Sequence, residues 1–132
     1  MPITNTLTIT SSRSYNLSNF LKSIDVTLVG GGGAGGGMSG SGGGGGYVET
    51  LLGCDTTLSK NISFVIGSGG VYDSSTANGG DGGITQFKVS NLVKLTANGG
   101  KGRNKGPSKA YSTTRTPGGI GNRDGRTSGY CN

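Results

Sequence analysis

The stretch IDVTLVGGGGAGGGMSGSGGGGGYVETLL, from Ile24 to Leu52, sets two apolar, β-branched segments on either side of a long run with almost no side chains. The alternation of apolar and polar residues in IDVTLV and YVETLL predicts two β-strands. Glycine loses more conformational freedom on folding than any other residue, so a long glycine run between strands requires a structural reason. The fold of the whole chain depends on that reason.

Glycine is abundant throughout the chain, and apolar side chains are few. Glycine accounts for 30 of 132 residues, against roughly 7% in ordinary proteins. Hydrophobic residues make up 30% and aromatic residues 6%, and Trp and His are absent. A chain of this length forms at most one domain. Side-chain burial alone supplies little cohesion here, so the chain is either unfolded or held together by another interaction.

The net charge of +6 resides in the last quarter of the chain. Residues 1–100 carry five basic and five acidic side chains, whereas residues 101–132 carry seven basic and one acidic. A basic surface favours an anionic partner, although a solvated, charged tail explains the same pattern. We divide the single domain, 1–132, into N-terminal strands that could serve in attachment (1–29), a glycine-rich core (30–102) and a basic loop and C-terminal segment (103–132).

Further strands are predicted in ITNTLTIT (residues 3–10), in NISFVIG (61–67) and in ITQFKVSNLVKLTA (84–97). The last of these reads as two strands joined by a tight turn at Ser90-Asn91. Helical periodicity without glycine is absent, and YNLSNFLKS (15–23) offers one helical turn at most. The prediction is a mostly β fold with little or no α-helix.

The chain contains two cysteines, Cys54 and Cys131. They could form one disulfide that ties the C-terminal end to the middle of the chain. Because neither a secretory leader nor a membrane-spanning run is predicted, the protein is expected to be made in a cytoplasm. Free thiols are therefore expected unless the protein is later released into an oxidising medium, with Cys54 more buried than reactive.

The residue types for most catalytic and cofactor chemistry are missing. Gly31, Gly33 and Gly36 match G-x-G-x-x-G, but the dinucleotide site needs a helix next, and the glycines that follow oppose one at about 1 kcal/mol each. Without His, a Ser-His or Cys-His nucleophile is excluded, and the carboxylates form no close pair. Two cysteines are too few for a zinc site. We expect no enzyme activity, no catalytic residue, no metal and no cofactor.

Three structural roles are open to the glycines. A flexible linker fits the Gly/Ser composition, but the tracts lie among strands throughout the chain. A nucleic-acid-binding tail fits KGRNKG, but the longest tracts lie in the neutral part of the chain. In the third role, extended helices of three residues per turn have no internal hydrogen bonds, and without Cβ atoms they approach and bond to one another. This polyglycine II-like packing also accounts for the strands, the thin core and the near-repeat of TANGGDGG (76–83) in TANGGKGR (96–103).

The order of these segments resembles a known family. VTLVGGGGAGGG, then GYVETLL, ISFVIGSGG, NGGDGGITQF and LTANGGKG resemble the glycine-rich domain of bacteriophage tail-fibre and tail-spike tips. The resemblance implies glycine-rich segments packed as a sandwich of extended helices, with variable loops that recognise the host. It covers residues 25–102, with a weaker extension through TPGGIGN (116–122), and the short length and the basic last thirty residues depart from the pattern.

Two loops are the predicted receptor-binding sites, because a rigid scaffold leaves recognition to its loops. VYDSSTAN has the Tyr, Ser and Asn composition of adaptable binding loops. RNKGPSKAYSTTRT combines Tyr with basic side chains that bind phosphate or carboxylate. Ordinary surface loops have the same composition. The candidate residues are Tyr72, Asp73, Ser74, Arg103, Lys105, Lys109, Tyr111 and Arg115, while Tyr47 is expected to be scaffold.

The resemblance implies a virion protein that acts as an adhesin at the tip of a phage tail fibre or spike and binds a host glycan or outer-membrane protein. Its expected partners are the fibre or spike shaft and the host receptor, with a homo-oligomer left open and no nucleic acid. The main alternative is a purely structural virion, capsid or spike component without receptor binding. A surface- or ice-binding protein would need a flat, regular Thr face, which only TNTLTIT approaches.

Overall fold

The computed structural model describes residues 5–19, 21–37, 42–57 and 60–103 and, as backbone, residues 125–128. The described residues form β-strands and no helix, which confirms the predicted fold class. The strands are β1 (Arg13–Asn16), β2 (Ser23–Val29), β3 (Val48–Asp55), β4 (Asn61–Val65), β5 (Tyr72–Asp73), β6 (Asn78–Gly79), β7 (Thr85–Val89), β8 (Leu92–Ala97) and β9 (Gly125–Ser128).

Two sheets surround one apolar core, and we call this half of the molecule the sandwich. One sheet is antiparallel with the strand order β1-β4-β7-β8, and the other has the order β2-β3-β9, with β9 parallel to β3. Phe87 is fully buried and packs on Phe64 with 5.2 Å between the ring centroids. The buried apolar side chains are Val26, Leu28, Leu51, Cys54, Ile62, Phe64, Phe87, Val89, Leu95 and Ala97.

The alternating sequence patterns place the predicted faces correctly. In β2 the side chains of Val26 and Leu28 are buried, and Thr27 between them is exposed. Ser90 and Asn91 have φ values of 48° and 66° between β7 and β8. Positive φ at both central residues defines the type I′ turn that matches the twist of paired strands. The predicted hairpin at Ser90-Asn91 is therefore confirmed.

The N-terminal segment differs from the prediction. Residues 5–12 form no strand, and pairing with β4 begins only at Arg13, opposite Phe64. The Ile66 N–H donates to the Ser12 hydroxyl at 2.9 Å. The Ser12 side chain thus satisfies the backbone N–H of Ile66, next to the end of the β1–β4 pairing. The threonine-rich stretch that precedes Ser12 lies outside the sheet, and Leu7 in it is exposed.

Cys54 lies in the core and is disulfide-bonded. Its burial confirms the sequence-based expectation, and its bonded state corresponds to the exception that was made for an oxidising medium. The other cysteine of the chain, Cys131, lies outside the described residues. Because β9 pairs with β3 from Glu49 to Leu52, the C-terminal part of the chain returns to the strand that carries Cys54.

The glycine-rich part forms the second half of the molecule, which we call the lattice. It consists of five segments: the first at residues 30–37, the second at 42–47, the third at 67–71, the fourth at 79–83 and the fifth at 98–103. Each continues from or into a strand of the sandwich, as Gly30 follows β2 and Gly83 precedes β7. A further glycine-containing stretch of the sequence, PGGIGN (117–122), lies outside the described residues.

The first segment lies among the other four. Its N–H groups alternate between neighbours: Gly30 and Gly33 donate to the second segment, and Gly31 and Ala34 donate to the fourth. Its carbonyls accept from the third and fifth segments. Bonds to the same neighbour recur every three residues, which is the period of the polyglycine II helix. The bonds of the first segment to the other four segments are Gly30 N to Tyr47 O, Gly33 N to Gly44 O, Gly31 N to Gly83 O, Ala34 N to Gly80 O, Gly70 N to Gly32 O, Gly100 N to Gly31 O and Arg103 N to Ala34 O, at 2.7 to 3.1 Å.

The lattice needs glycine for space. Among the described glycines, Gly53 alone has a positive φ, and it lies in β3. A Cβ on Gly82 would lie less than 3.0 Å from backbone atoms of Gly31 and Gly32, and a Cβ on Gly46 would meet the backbone of Gly30 in the same way. Side chains would therefore separate the segments and break the hydrogen bonds between them. Similar overlaps arise at Gly30, Gly31, Gly33, Gly43, Gly67, Gly70, Gly79, Gly99, Gly100 and Gly102.

Candidate functional site

The lattice has one end that faces away from the sandwich, and we call it the distal end. The first segment reaches it at Gly37, whose N–H donates to Ala77 O at 2.9 Å. The fifth segment reaches it at Arg103, whose carbonyl accepts from Gly79 N at 2.7 Å. The hairpin of β5 and β6 connects the third and fourth segments there, with Tyr72 paired to Gly79. Connections between glycine segments thus meet at one end of the scaffold.

Asp73 shapes the turn of this hairpin. One carboxylate oxygen accepts from the backbone N–H of Ser75 at 2.9 Å and from its hydroxyl at 2.7 Å, and the other accepts from the Thr76 hydroxyl at 2.9 Å. The Ser75 hydroxyl is the main reason that the pKa of Asp73 lies below its ordinary value. Ala77 completes the turn with a φ of 58°. The carboxylate of Asp73 is therefore occupied within its own loop.

Tyr72 and Ser74 are exposed beside this turn. A Cβ on Gly37 would meet the Tyr72 hydroxyl, which shows that the phenol lies directly over the end of the first segment. Val71, next to it, is 77% exposed. The distal end therefore presents an aromatic and an aliphatic side chain to solvent on a backbone fixed by the lattice.

The backbone of Arg103 is hydrogen-bonded within the lattice, and the residue lies at the distal end. Its N–H donates to Ala34 O at 3.1 Å, and its side-chain Nε is buried without a hydrogen-bond partner among the described groups. Tyr72, Asp73, Ser74 and Arg103 thus lie at one end of the molecule. The other candidates, Lys105, Lys109, Tyr111 and Arg115, lie outside the described residues.

The lattice also has a lateral cleft of about 310 Å³, which we call the Tyr47 cleft. In its lining, Lys101 donates to Asp81 at 2.8 Å, and Gly102 N donates to the other carboxylate oxygen at 2.8 Å. This pair is not among the residues predicted from the sequence, although the near-repeat contains the signal: Asp81 and Lys101 occupy the same position in TANGGDGG and TANGGKGR. The residues that line the cleft are Tyr47, Asp81, Gly82, Ile84, Asn98, Gly99 and Lys101.

Acid is expected to weaken the fold through three carboxylates. Hydrogen bonds from Thr57, Ser75 and Lys101, respectively, are the main reasons that the pKa values of Asp55, Asp73 and Asp81 lie below the ordinary value. The unfolded chain takes up protons as the pH falls through about 4, while these folded carboxylates stay ionised to lower pH. The stability that these carboxylates contribute is therefore present above about pH 4, and it is lost as the pH falls through their pKa values in the folded protein.

The measurement is the melting temperature by circular dichroism between about pH 6 and about pH 2.5, where we expect a fall of a few degrees because all three carboxyls are exposed. Asp73→Asn should reduce the size of that fall. A melting temperature that stays constant over this range would contradict the expectation.

The described residues contain no group of three or more His, Cys, Asp and Glu side chains placed to hold a metal ion. They also contain no helix long and apolar enough to cross a membrane.

Comparison with known proteins gives one match. The family model described as the glycine-rich domain matches residues 6–131, which is nearly the whole chain. Neither the curated proteins nor the solved structures contain a match.

Proposed function

The chain belongs to the glycine-rich domain family, and from its resemblance to phage tail-tip domains we propose that it is a non-enzymatic virion protein that binds a host surface receptor from the tip of a phage tail fibre or spike. The observation that carries the proposal is the distal end, where the β5–β6 hairpin and Arg103 meet on a backbone held by hydrogen bonds between segments. Binding residues are frequent on loops that a rigid scaffold positions.

The composition of the hairpin supports a contact with a receptor. Tyr72 offers a large, rigid, amphipathic surface, and Ser74 adds a small polar group beside it. Because Asp73 already holds the turn through Ser75 and Thr76, the loop is ordered before binding. Less conformational entropy is then lost when a partner binds. The receptor class is a host glycan or an outer-membrane protein.

The remaining features are compatible with a virion component. The sandwich, with residues 5–12 beside it, lies away from the distal end and is the proposed side of attachment to a fibre or spike shaft. The bonded state of Cys54 supports an oxidising environment such as that outside a cell. The order of strands and glycine segments supports the phage assignment through its resemblance to tail-tip domains. The competing proposal is a structural virion component with the same lattice and no receptor.

Replacement of Tyr72 is expected to weaken binding to cells. Fluorescently labelled protein is incubated with a panel of whole bacterial cells of both Gram types, and saturable binding is measured by flow cytometry. We expect Tyr72→Ser to reduce the affinity about tenfold or more on any strain that binds, as loss of an aromatic anchor does. Leu92→Ser is the matched control, because Leu92 is an exposed apolar residue beside the β7–β8 turn, at the opposite end of the molecule.

Equal affinities for Tyr72→Ser and the unmodified protein would contradict the assignment of the distal hairpin. Absence of saturable binding on every strain would favour the structural component over the adhesin.

A further inference from the structure

The Tyr47 cleft has a backbone floor and two side-chain walls. The fifth segment forms the floor, because it is bonded to the second segment through Tyr47 N to Asn98 O and to the fourth through Gly82 N to Gly100 O. Tyr47 stands on the second-segment side. Ile84, which is 49% exposed, stands on the fourth-segment side. The glycines of the floor keep the cleft open between an aromatic wall and an aliphatic wall.

The polar groups of the cleft are paired but have capacity left. Lys101 has three N–H donors and uses one on Asp81, and the two carboxylate oxygens of Asp81 accept one bond each from Lys101 and Gly102. Both side chains are more than half exposed. The exposed Asn98, which also lines the cleft, adds an amide donor and acceptor. Donors and acceptors therefore stand side by side near the two apolar walls.

The charge of the cleft argues against an ionic ligand. Asp81 neutralises Lys101 at 2.8 Å, so an anion would have to compete with this carboxylate, and a cation would have to compete with the ammonium group. A neutral ligand with many hydroxyl groups instead uses the donors and acceptors together. A ligand with one flat apolar face and a rim of hydroxyl groups also fits the aromatic wall. Pyranose sugars combine these properties.

We propose that the Tyr47 cleft is a carbohydrate site that takes one neutral pyranose ring, with the apolar face of the sugar against Tyr47 and its hydroxyl groups toward Asp81, Lys101 and Asn98. The volume of about 310 Å³ is at the small end of ligand pockets, which fits a single ring. The site lies on the side of the lattice and does not depend on receptor binding at the distal hairpin. It adds a second point of contact with a sugar-coated surface.

The test is a titration of the full-length, 15N-labelled protein followed by NMR. The probes are methyl α-D-glucopyranoside, methyl β-D-galactopyranoside, methyl α-D-mannopyranoside and N-acetyl-D-glucosamine, with sorbitol as a polyol that has no ring face. We expect at least one pyranoside to bind with a millimolar Kd and to shift the amides of Gly82, Gly99 and Lys101. Sorbitol should leave these signals in place.

Variants separate the cleft from other surfaces. Tyr47→Ala should weaken pyranoside binding about tenfold or more, a factor that corresponds to the loss of one ring contact, whereas Tyr47→Phe should retain it. If Tyr47→Ala disturbs the lattice, which its own spectrum reports, Ile84→Ser removes the opposite wall and should also weaken binding. Tyr72→Ala makes the same change at the distal end and should bind as the unmodified protein does.

Three results would overturn the proposal. They are unchanged cleft signals with all four sugars, equal binding by sorbitol, and pyranoside binding that survives Tyr47→Ala and Ile84→Ser but is lost in Tyr72→Ala. The last result would assign the sugar to the distal end instead.

Discussion

Gly82→Ala is expected to destabilise the protein severely although it adds one methyl group. The new Cβ would lie less than 3.0 Å from the backbone of Gly31 and Gly32, in the segment that contacts all the others. Backbone cannot rotate aside as a side-chain end can, so the fourth segment must move and its bonds to the third and fifth segments weaken. Overpacking typically costs about 1 to 3 kcal/mol, and we expect the upper end of that range or more.

Gly45→Ala is the control, and it should not lower the free energy of unfolding. A Cβ there would have no atom within 4 Å, and Gly45 has no positive φ. Restricting the unfolded chain should then leave stability unchanged or raise it by about 0.4 to 1 kcal/mol. Urea unfolding followed by circular dichroism measures both variants. Equal stabilities for Gly82→Ala and Gly45→Ala would mean that the glycines form a solvated linker rather than packed segments.

The contrast between Gly82 and Gly45 shows the limit of prediction from the sequence, because the lattice was predictable and the role of each glycine in it was not. Composition and the order of strands favoured a glycine lattice, because that packing accounts for the strands, the near-repeat and the thin core together. The sequence could not show which glycines contact a neighbour. Each turn of the extended helix has three residues, and the position of a glycine in the turn decides whether it faces a neighbouring segment. A run of identical residues contains no pattern from which that position can be derived.

The near-repeat was informative in a different way. Its two copies lie antiparallel in the fourth and fifth segments, with Gly82 N bonded to Gly100 O, and they place Asp81 next to Lys101. Opposite charges at the same position of the two copies indicated that the copies contact each other. The copies diverge at their first residues, where Ala77 has a positive φ in a turn and Ala97 is buried in β8. Sequence similarity was therefore a guide to the lattice and not to the strands that lead into it.

The candidate loops were predicted from their amino-acid composition. The structure shows where the described loop, the β5–β6 hairpin, lies in the molecule. Nothing in VYDSSTAN indicates that Tyr72 lies over Gly37, because that contact depends on how segments distant in sequence end together. The bonds of Asp73 within its own turn are local, since an aspartate in a turn commonly accepts from the backbone two residues on. The strand predicted in residues 3–10 failed among its described residues for a related reason. Alternation alone predicts a strand, but a strand also needs a free edge to pair with, and β4 pairs with β1 only from Arg13 onward.

Loss of the disulfide at Cys54 is the second change with a large expected effect. Cys54 is fully buried in β3, opposite Ile24 of β2, and it is disulfide-bonded. A disulfide limits the conformations of the unfolded chain, and its removal from a small domain typically costs about 2 to 5 kcal/mol. We expect Cys54→Ala to lower the free energy of unfolding by this amount, measured by urea denaturation at neutral pH.

Reduction provides an independent measurement of the same contribution. The unmodified protein, unfolded and refolded with a phosphine reductant, should lose a similar free energy, whereas Cys54→Ala should be insensitive to the reductant. Because the sulfur is buried, the reductant should act on the native protein slowly and on the unfolded protein at once. A Cys54→Ala variant as stable as the unmodified protein would mean that the apolar core and the glycine lattice hold the chain without the covalent link.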